Sequence, residues 1–241
     1  MVGNLPAPAV DPRKRHSKDL HTAVLNTLGG EITAEVLHQD EILNVDALRE
    51  RFGVSRSVVR ESLRSLETLG MVRARSKVGT KVTPMSNWAL LNPVVIGWRA
   101  ASHYSEQMRQ MLQVRRGVEA SAARLCAQHM TGQEATQLRE ISYELEAAVA
   151  TEDGGRFLEA DARFHRLILE GSRNPIIAQF ADAVAAALRS RQEAHQTLFT
   201  ETTPDGLRLH IELAEAITDR DADLATSIAA SIADITLTEF R

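Results

Sequence analysis

Apolar residues recur at three- and four-residue steps along most of the chain, the period of helices that bury one face. Leu20, Val24, Leu25 and Leu28 keep that step over residues 17–28, and Gly29-Gly30 is expected to stop this first helix. A short second segment, 46–52, carries Leu48 and Phe52 four apart, and Gly53 after it supplies the freedom that a tight interhelical turn needs. Ser55 suits an N-cap for a helix over 56–68. On it Val58, Val59, Ser62, Leu63 and Leu66 make one stripe with Leu69, and Gly70 is placed for a left-handed cap. The period then shortens to two. Met71-Val72-Arg73-Ala74-Arg75 and Thr80-Lys81-Val82-Thr83 alternate around a turn at 76–79, which predicts a two-stranded wing.

Thr83-Pro84 closes this region. Residues 86–98 read as a linker that becomes a short helix, with Trp88, Leu90, Leu91 and Trp98 as packing anchors. About six helices are expected beyond residue 105, among them 106–130, 132–150, 155–170 and 210–219. The fold class is therefore mainly α: an N-terminal winged helix-turn-helix and an all-helical C-terminal domain. The expected division is a flexible arm (1–16), a DNA-binding domain (17–84), a linker (85–104) and a helical effector-binding and dimerisation domain (105–241).

Composition agrees with a helical globular protein: 44% apolar, 25% charged and only 4% aromatic residues. The single cysteine, Cys126, excludes an intrachain disulfide framework and reads as a small buried hydrophobe. No apolar run approaches the roughly 20 residues of a membrane span. The N-terminus has no apolar stretch of a secretory signal, so a cytoplasmic location is expected. The net charge of -4 hides an asymmetry. Residues 1–86 hold 13 Lys and Arg against 10 Asp and Glu, whereas the remainder hold 15 against 22. A compact basic segment on an acidic chain points to a local polyanion site.

With its apolar stripe turned inward, the helix over 56–68 exposes Arg56, Ser57, Arg60 and Arg64. The N-terminal residues of the second helix of a helix-turn-helix reach base edges in the major groove of double-stranded DNA, where arginine can grip guanine bidentately. Ser55 and Ser57 at the helix start suit phosphates, and Lys77, Gly79 and Lys81 on the wing suit the DNA backbone. The stretch Phe52-Gly53-Val54-Ser55-Arg56-Ser57-Val58-Val59-Arg60-Glu61-Ser62-Leu63, continuing to Leu69-Gly70-Met71-Val72, resembles the recognition-helix signature of the GntR transcription regulators, and Gly79-Thr80-Lys81-Val82 is similar to that family's wing. The resemblance covers about residues 18–84. It implies a winged helix with base contacts from Arg56 and Arg60. Family members usually open the second helix with Leu-Pro-Ser/Ala-Glu; here the chain reads Ile42-Leu43-Asn44-Val45-Asp46. An arginine that touches DNA in some members falls at Asp46, so that contact does not carry over.

In the C-terminal half, Asp161 and His165 stand four apart and share a helix face, a carboxylate beside an imidazole. Such a pair can bind zinc, nickel, manganese or iron, or simply form a hydrogen bond. His210 can face inward with Leu213 and Ile217. The series Arg115-Arg116-Gly117-Val118-Glu119, Asp161-Ala162-Arg163-Phe164-His165, Asn174-Pro175 and His210 resembles the FCD effector domain of the FadR branch of GntR regulators. That resemblance implies an antiparallel bundle enclosing a divalent metal ion, with zinc a candidate, and a small carboxylate effector. Asp161, His165 and His210 match the family's metal ligands, and Arg115 matches its arginine beside the pocket. Many members carry a further histidine, but residues 227–233 have none here; His195 is a second choice for that place. The linker and motif spacing look most like regulators of sugar-acid catabolism, of the gluconate or galactonate kind. The expected function is a homodimeric repressor on a palindromic operator, released by its effector, and not an enzyme. The alternatives are a relative that senses a lactate-like or acyl acid, a metal-dependent hydrolase built on the bundle, and a nonspecific architectural DNA binder with no effector.

Overall fold

The computed structural model describes residues 12–75, 79–194, 199–200 and 203–240. Lys77 and His195, and the segment before Pro12, lie outside the described residues. The chain divides into two compact units, Met1–Ala89 and Leu90–Arg241. It is mainly α-helical, with one small sheet.

In the first unit, α1 (Pro12–Thr33) packs on the later helix α3 (Arg56–Thr68). The Ser62 hydroxyl donates to the His21 carbonyl at 3.2 Å, and the His21 ring meets Ser65 Oγ at 3.1 Å. The expected stop of α1 at Gly29-Gly30 is not found. The helix runs on to Thr33, because Ile32 continues the buried stripe of Val24 and Leu28. Burying an isoleucine gains about 1.5–3 kcal/mol, enough to offset the roughly 2 kcal/mol that two glycines cost a helix. A two-residue strand, β1 (Ile42–Leu43), comes next; it is too short to show alternation in the sequence. Asn44 then caps α2 (Val45–Phe52), its side-chain oxygen accepting from the Asp46 and Ala47 amides at 2.8 and 3.2 Å.

Gly53 (φ 63°) turns the chain into α3, where Ser55 accepts from the Val58 amide at 3.4 Å and Val58, Val59, Ser62, Leu63 and Leu66 are buried, as the stripe predicted. The wing is β2 (Val72–Arg75) paired antiparallel with β3 (Gly79–Val82), and β1 lies on the other side of β3. Val72 faces Val82, and both are buried. The Trp88 indole N–H donates to the Thr83 carbonyl at 3.1 Å and anchors the exit of the unit. Leu91, expected as an anchor, is exposed.

The second unit is a helical bundle. Its α4 (Pro93–His129) is capped by Asn92 and leaves helical geometry at His103 (φ -135°, ψ 50°), just before the helix start that the sequence suggested near residue 106. There follow α5 (Gly132–Ala150), α6 (Gly154–Gly171), the short α7 (Pro175–Ala178), α8 (Ala181–Ala194), α9 (Thr203–Thr218) and α10 (Ala222–Leu237), closed by a 3-10 turn, Thr238–Phe240. A capping box between Thr131 and Glu134 opens α5. The helix around His210 begins seven residues earlier than expected, at Thr203. Pro204 in its first turn is a start signal that needs no cap at His210. Phe164, Leu138, Leu145 and Ile168 fill the core, while Ala122, Ala123 and Ala127 of α4 are buried alongside Ala225, Ala229 and Ala233 of α10. Small side chains let those two helices approach closely. Cys126 is buried, as expected; burial pushes its thiol up to about 12, and it donates to the Ile168 carbonyl at 3.1 Å.

Gly53 and Gly70 both hold a left-handed conformation, but a side chain at Gly53 meets open space whereas one at Gly70 (φ 73°) collides with the Asn87 carbonyl. Gly53→Ala is therefore expected to cost about 1–2 kcal/mol from backbone strain alone, and Gly70→Ala distinctly more. Urea unfolding of the two variants checks this; equal losses would show that the Asn87 turn yields freely.

Candidate functional site

The first unit presents α3 with Ser55, Arg56, Ser57, Arg60 and Arg64 all exposed. A groove between this helix and the wing is lined by Val45, Arg60, Leu63, Arg64, Glu67 and Thr80. The wing is tied to the helix by the Ala74 amide, which donates to Glu67 Oε1 at 2.8 Å. Three of the basic side chains singled out in the sequence sit on acidic partners. Arg56 lies side-on against Asp46, Nε and Nη2 each 2.8 Å from a carboxylate oxygen. Arg64 Nη1 meets Glu61 at 2.6 Å, and Lys81 Nζ meets Asp40 at 2.9 Å. Arg60 makes no hydrogen bond or ion pair among the described residues. Gly79, the first residue of β3, is paired with Arg75 at the open end of the wing (φ 115°).

The role of Asp46 was not visible in the sequence. It read as a missing arginine, yet the turn at Gly53 brings it against Arg56, ten residues away. The Asp40 partner of Lys81 was missed for the same reason: no local spacing links them. Exposed pairs of this kind are worth about 0–1 kcal/mol, so a phosphate can replace the carboxylate at little cost.

In the second unit, α6 contributes Asp161 and His165, and α9 contributes His210; all three are buried. Asp161 Oδ1 lies 3.3 Å from His165 Nε2 and 3.3 Å from His210 Nε2, and the two nitrogens are 3.4 Å apart. The donor atoms thus form a nearly equilateral triangle. A tetrahedral ion with bonds of about 2.05 Å needs ligand atoms about 3.3 Å apart, so the triangle fits one face of such a site. The outer nitrogen of His210 is also suitably placed. His210 Nδ1 is 2.7 Å from the Gly206 carbonyl, a contact that puts the ring proton on Nδ1 and the lone pair on Nε2. His165 Nδ1 is 2.9 Å from Glu119 Oε2, at an angle too bent for a hydrogen bond. Among the described residues these three are the only cluster of metal-ligating type; residues 227–233 on α10 supply no histidine.

Arg115 on α4 is buried in an ion pair with Glu119, Nε to Oε1 at 2.8 Å, and its Nη2 donates to His165 Nε2 at 2.9 Å. Burial alone would raise the Glu119 pKa, but Arg115 and then His165 outweigh it and hold the group at about 2. Asp161 is likewise held well below the usual carboxylate range: burial opposes, and His165 and His210 prevail. Burial and Arg115 disfavour a proton on His165, while Glu119 and Asp161 favour it more strongly and raise its pKa. The contact from Arg115 needs the neutral ring and uses the one lone pair of His165 Nε2, so an ion in the triangle would take the place of Arg115 Nη2 there. Arg163 points outward to Glu144, away from the site.

Arg115 and the triangle border one cavity, whose wall also includes Arg191, Thr203, Thr236 and Glu239. These last four carried no sequence signal, since they meet only through packing of α8, α9, α10 and the C-terminal turn.

A chain that combines a winged helix-turn-helix with a helical bundle enclosing such a cavity is a ligand-responsive transcription regulator. Residues 21–82 match the profile of bacterial regulatory proteins of the gntR family, and residues 110–234 match the FCD domain. The chain is 32% identical over 182 residues to the uncharacterised HTH-type transcriptional regulator YieP of Escherichia coli, across 74% of this chain and 76% of that one. It is 29% identical over 208 residues to the galactonate operon transcriptional repressor of the same organism, across 86% and 90%. A solved structure from Listeria monocytogenes, described as Lar, which controls the agr system, shares the fold with a TM-score of 0.60 at 19% identity, over 92% of this chain and 95% of that one. The chain belongs to the GntR family of transcription regulators, in the group with an FCD domain, and the family's members are regulators and not enzymes. Among the described residues, no helix is long and apolar enough to cross a membrane.

Removing one partner of a buried ion pair leaves a charge with no compensation, so Glu119→Ala is expected to destabilise the helical unit by about 3–5 kcal/mol. Guanidinium unfolding followed by circular dichroism measures this. A loss below about 1 kcal/mol would mean that water reaches Arg115.

Proposed function

We propose that the protein is a cytoplasmic, homodimeric repressor of sugar-acid catabolism genes, with residues 17–84 binding DNA, 85–104 linking and 105–241 sensing the effector. The observation that carries the effector half is the buried triangle of Asp161, His165 and His210 with Arg115 beside it on a shared cavity. These three residues would hold a divalent cation, with zinc a candidate, which would supply positive charge for oxygen donors of a ligand. Arg115 offers a planar fork to the effector carboxylate. Similarity to a galactonate operon repressor favours a gluconate- or galactonate-like acid.

On DNA, two recognition helices meet the two halves of a pseudo-palindromic operator. Arg60, without an internal partner, reads a base. Arg56, held side-on by Asp46, presents the far edge of its guanidinium to a second base. Ser55, Ser57, Arg64, Lys77, Gly79 and Lys81 take phosphates. The effector binds one arrangement of the protein better than another, and operator affinity falls by that difference in binding free energy.

Arg60→Ala is expected to weaken specific operator binding by about 1–3 kcal/mol, read by fluorescence anisotropy on promoter fragments; unchanged affinity would remove Arg60 from the base-reading face. Asp161→Ala and His165→Ala are expected to abolish the rise in melting temperature that zinc together with gluconate or galactonate gives the intact chain. A rise that survives both substitutions would place the effector elsewhere.

A further inference from the structure

The cavity has a second polar wall, and its chemistry differs from that around the triangle. Arg191 on α8 reaches Glu239 of the C-terminal turn through Nη2, at 2.8 and 3.1 Å from the two carboxylate oxygens, and both side chains are largely buried. Thr200 Oγ1 donates to Glu239 at 2.8 Å, and the Thr200 amide donates to Thr203 Oγ1 at 2.8 Å. Phe240, next to Glu239, stacks edge-on against Tyr104 of α4 with ring centroids 5.7 Å apart, which holds the turn in place. Arg191 uses one nitrogen in this contact. Among the described residues its Nε and Nη1 have no other partner.

Thr203 and His210 lie on the same helix, seven residues apart. Two helical turns separate them, about 10 Å of rise. A ligand whose carboxylate sits at Arg115 and the triangle therefore turns the remote end of its chain toward the Arg191–Glu239 wall. A three-carbon hydroxy acid is expected to end short of it. The pair carries no net charge. It offers N–H donors from Arg191 and acceptor oxygens from Glu239 and the threonines, which suits neutral hydroxyls. A second carboxylate arriving there would find the Arg191 charge already balanced by Glu239, and so would bring an uncompensated negative charge into a poorly hydrated place.

Resting on the proposed effector reading, we infer that Arg191 and Glu239 select the far end of the ligand: they accept the hydroxyl-bearing tail of a long monocarboxylate and reject a dicarboxylate of the same length. Glu239 is the excluding element and Arg191 the accepting one.

The test is isothermal titration of the full chain with zinc present, using gluconate, glucarate and lactate as probes. The intact chain is expected to bind gluconate at least about tenfold more tightly than glucarate. Glu239→Gln, which keeps the shape and removes the charge, brings the two within about threefold of each other. Arg191→Met weakens gluconate about tenfold and leaves lactate unchanged. An unchanged gluconate-to-glucarate ratio in Glu239→Gln overturns the assignment. If that variant does not fold, the intact chain still decides: equal affinity for gluconate and glucarate overturns the selector while leaving the sugar-acid reading standing. No binding of any of the three acids by the intact chain overturns both.

Discussion

Two carboxylates with almost no access to water, Glu119 and Asp161, set the constraint around which the helical unit is arranged. A buried charge needs a partner, and each partner here comes from a fixed place: Arg115 one turn from Glu119 on α4, His165 one turn from Asp161 on α6, and His210 from α9. A shift of α6 by one residue would rotate its pair by about 100°, taking Asp161 away from His210 and His165 away from Arg115 and Glu119. Such a cluster adds little net stability compared with well-packed apolar residues. What it contributes is register. The burial of Phe164 and Leu213 is favourable in any direction of approach, whereas Asp161 needs its partners at fixed positions, so the polar cluster adds a directional constraint on three helices.

Much of the first unit was legible because its signals are local. Ser55, the stripe from Val58 to Leu66 and Gly70 together bound α3 from one side of the chain to the other, and the alternation around Val72 and Val82 marks the wing. The continuation of α1 through Gly29-Gly30 was not legible, since it is decided by Ile32 burying against another part of the fold, which outweighs propensity. In the second unit, the four-residue step from Asp161 to His165 placed both on one face, but only the family resemblance joined them to His210, forty-five residues on. Partners distant in sequence gave no signal. Asp46 read as a lost contact until the turn at Gly53 set it against Arg56, and nothing in the chain links Arg191 to Glu239, forty-eight residues apart.

The same pairing chemistry has opposite consequences in the two units. Arg56 and Arg115 each turn Nε and Nη2 toward one carboxylate, but the Arg56 and Asp46 side chains are 59% and 51% exposed whereas those of Arg115 and Glu119 are 5% and 3% exposed. In water the carboxylate of Asp46 can give way to a phosphate with little change in free energy, so the pair orients the arginine without locking it. In the bundle, Arg115 can leave Glu119 only for an anion that is itself stripped of water. With neutral imidazoles, the cluster of Glu119, Asp161 and Arg115 carries one net negative charge, and a carboxylate is repelled. A divalent cation held by Asp161, His165 and His210 would reverse that sign. On the proposed effector reading, effector binding and metal binding would be two halves of one charge balance, and the affinity for an organic acid would be set as much by the occupancy of the triangle as by the fit of the acid to Arg115.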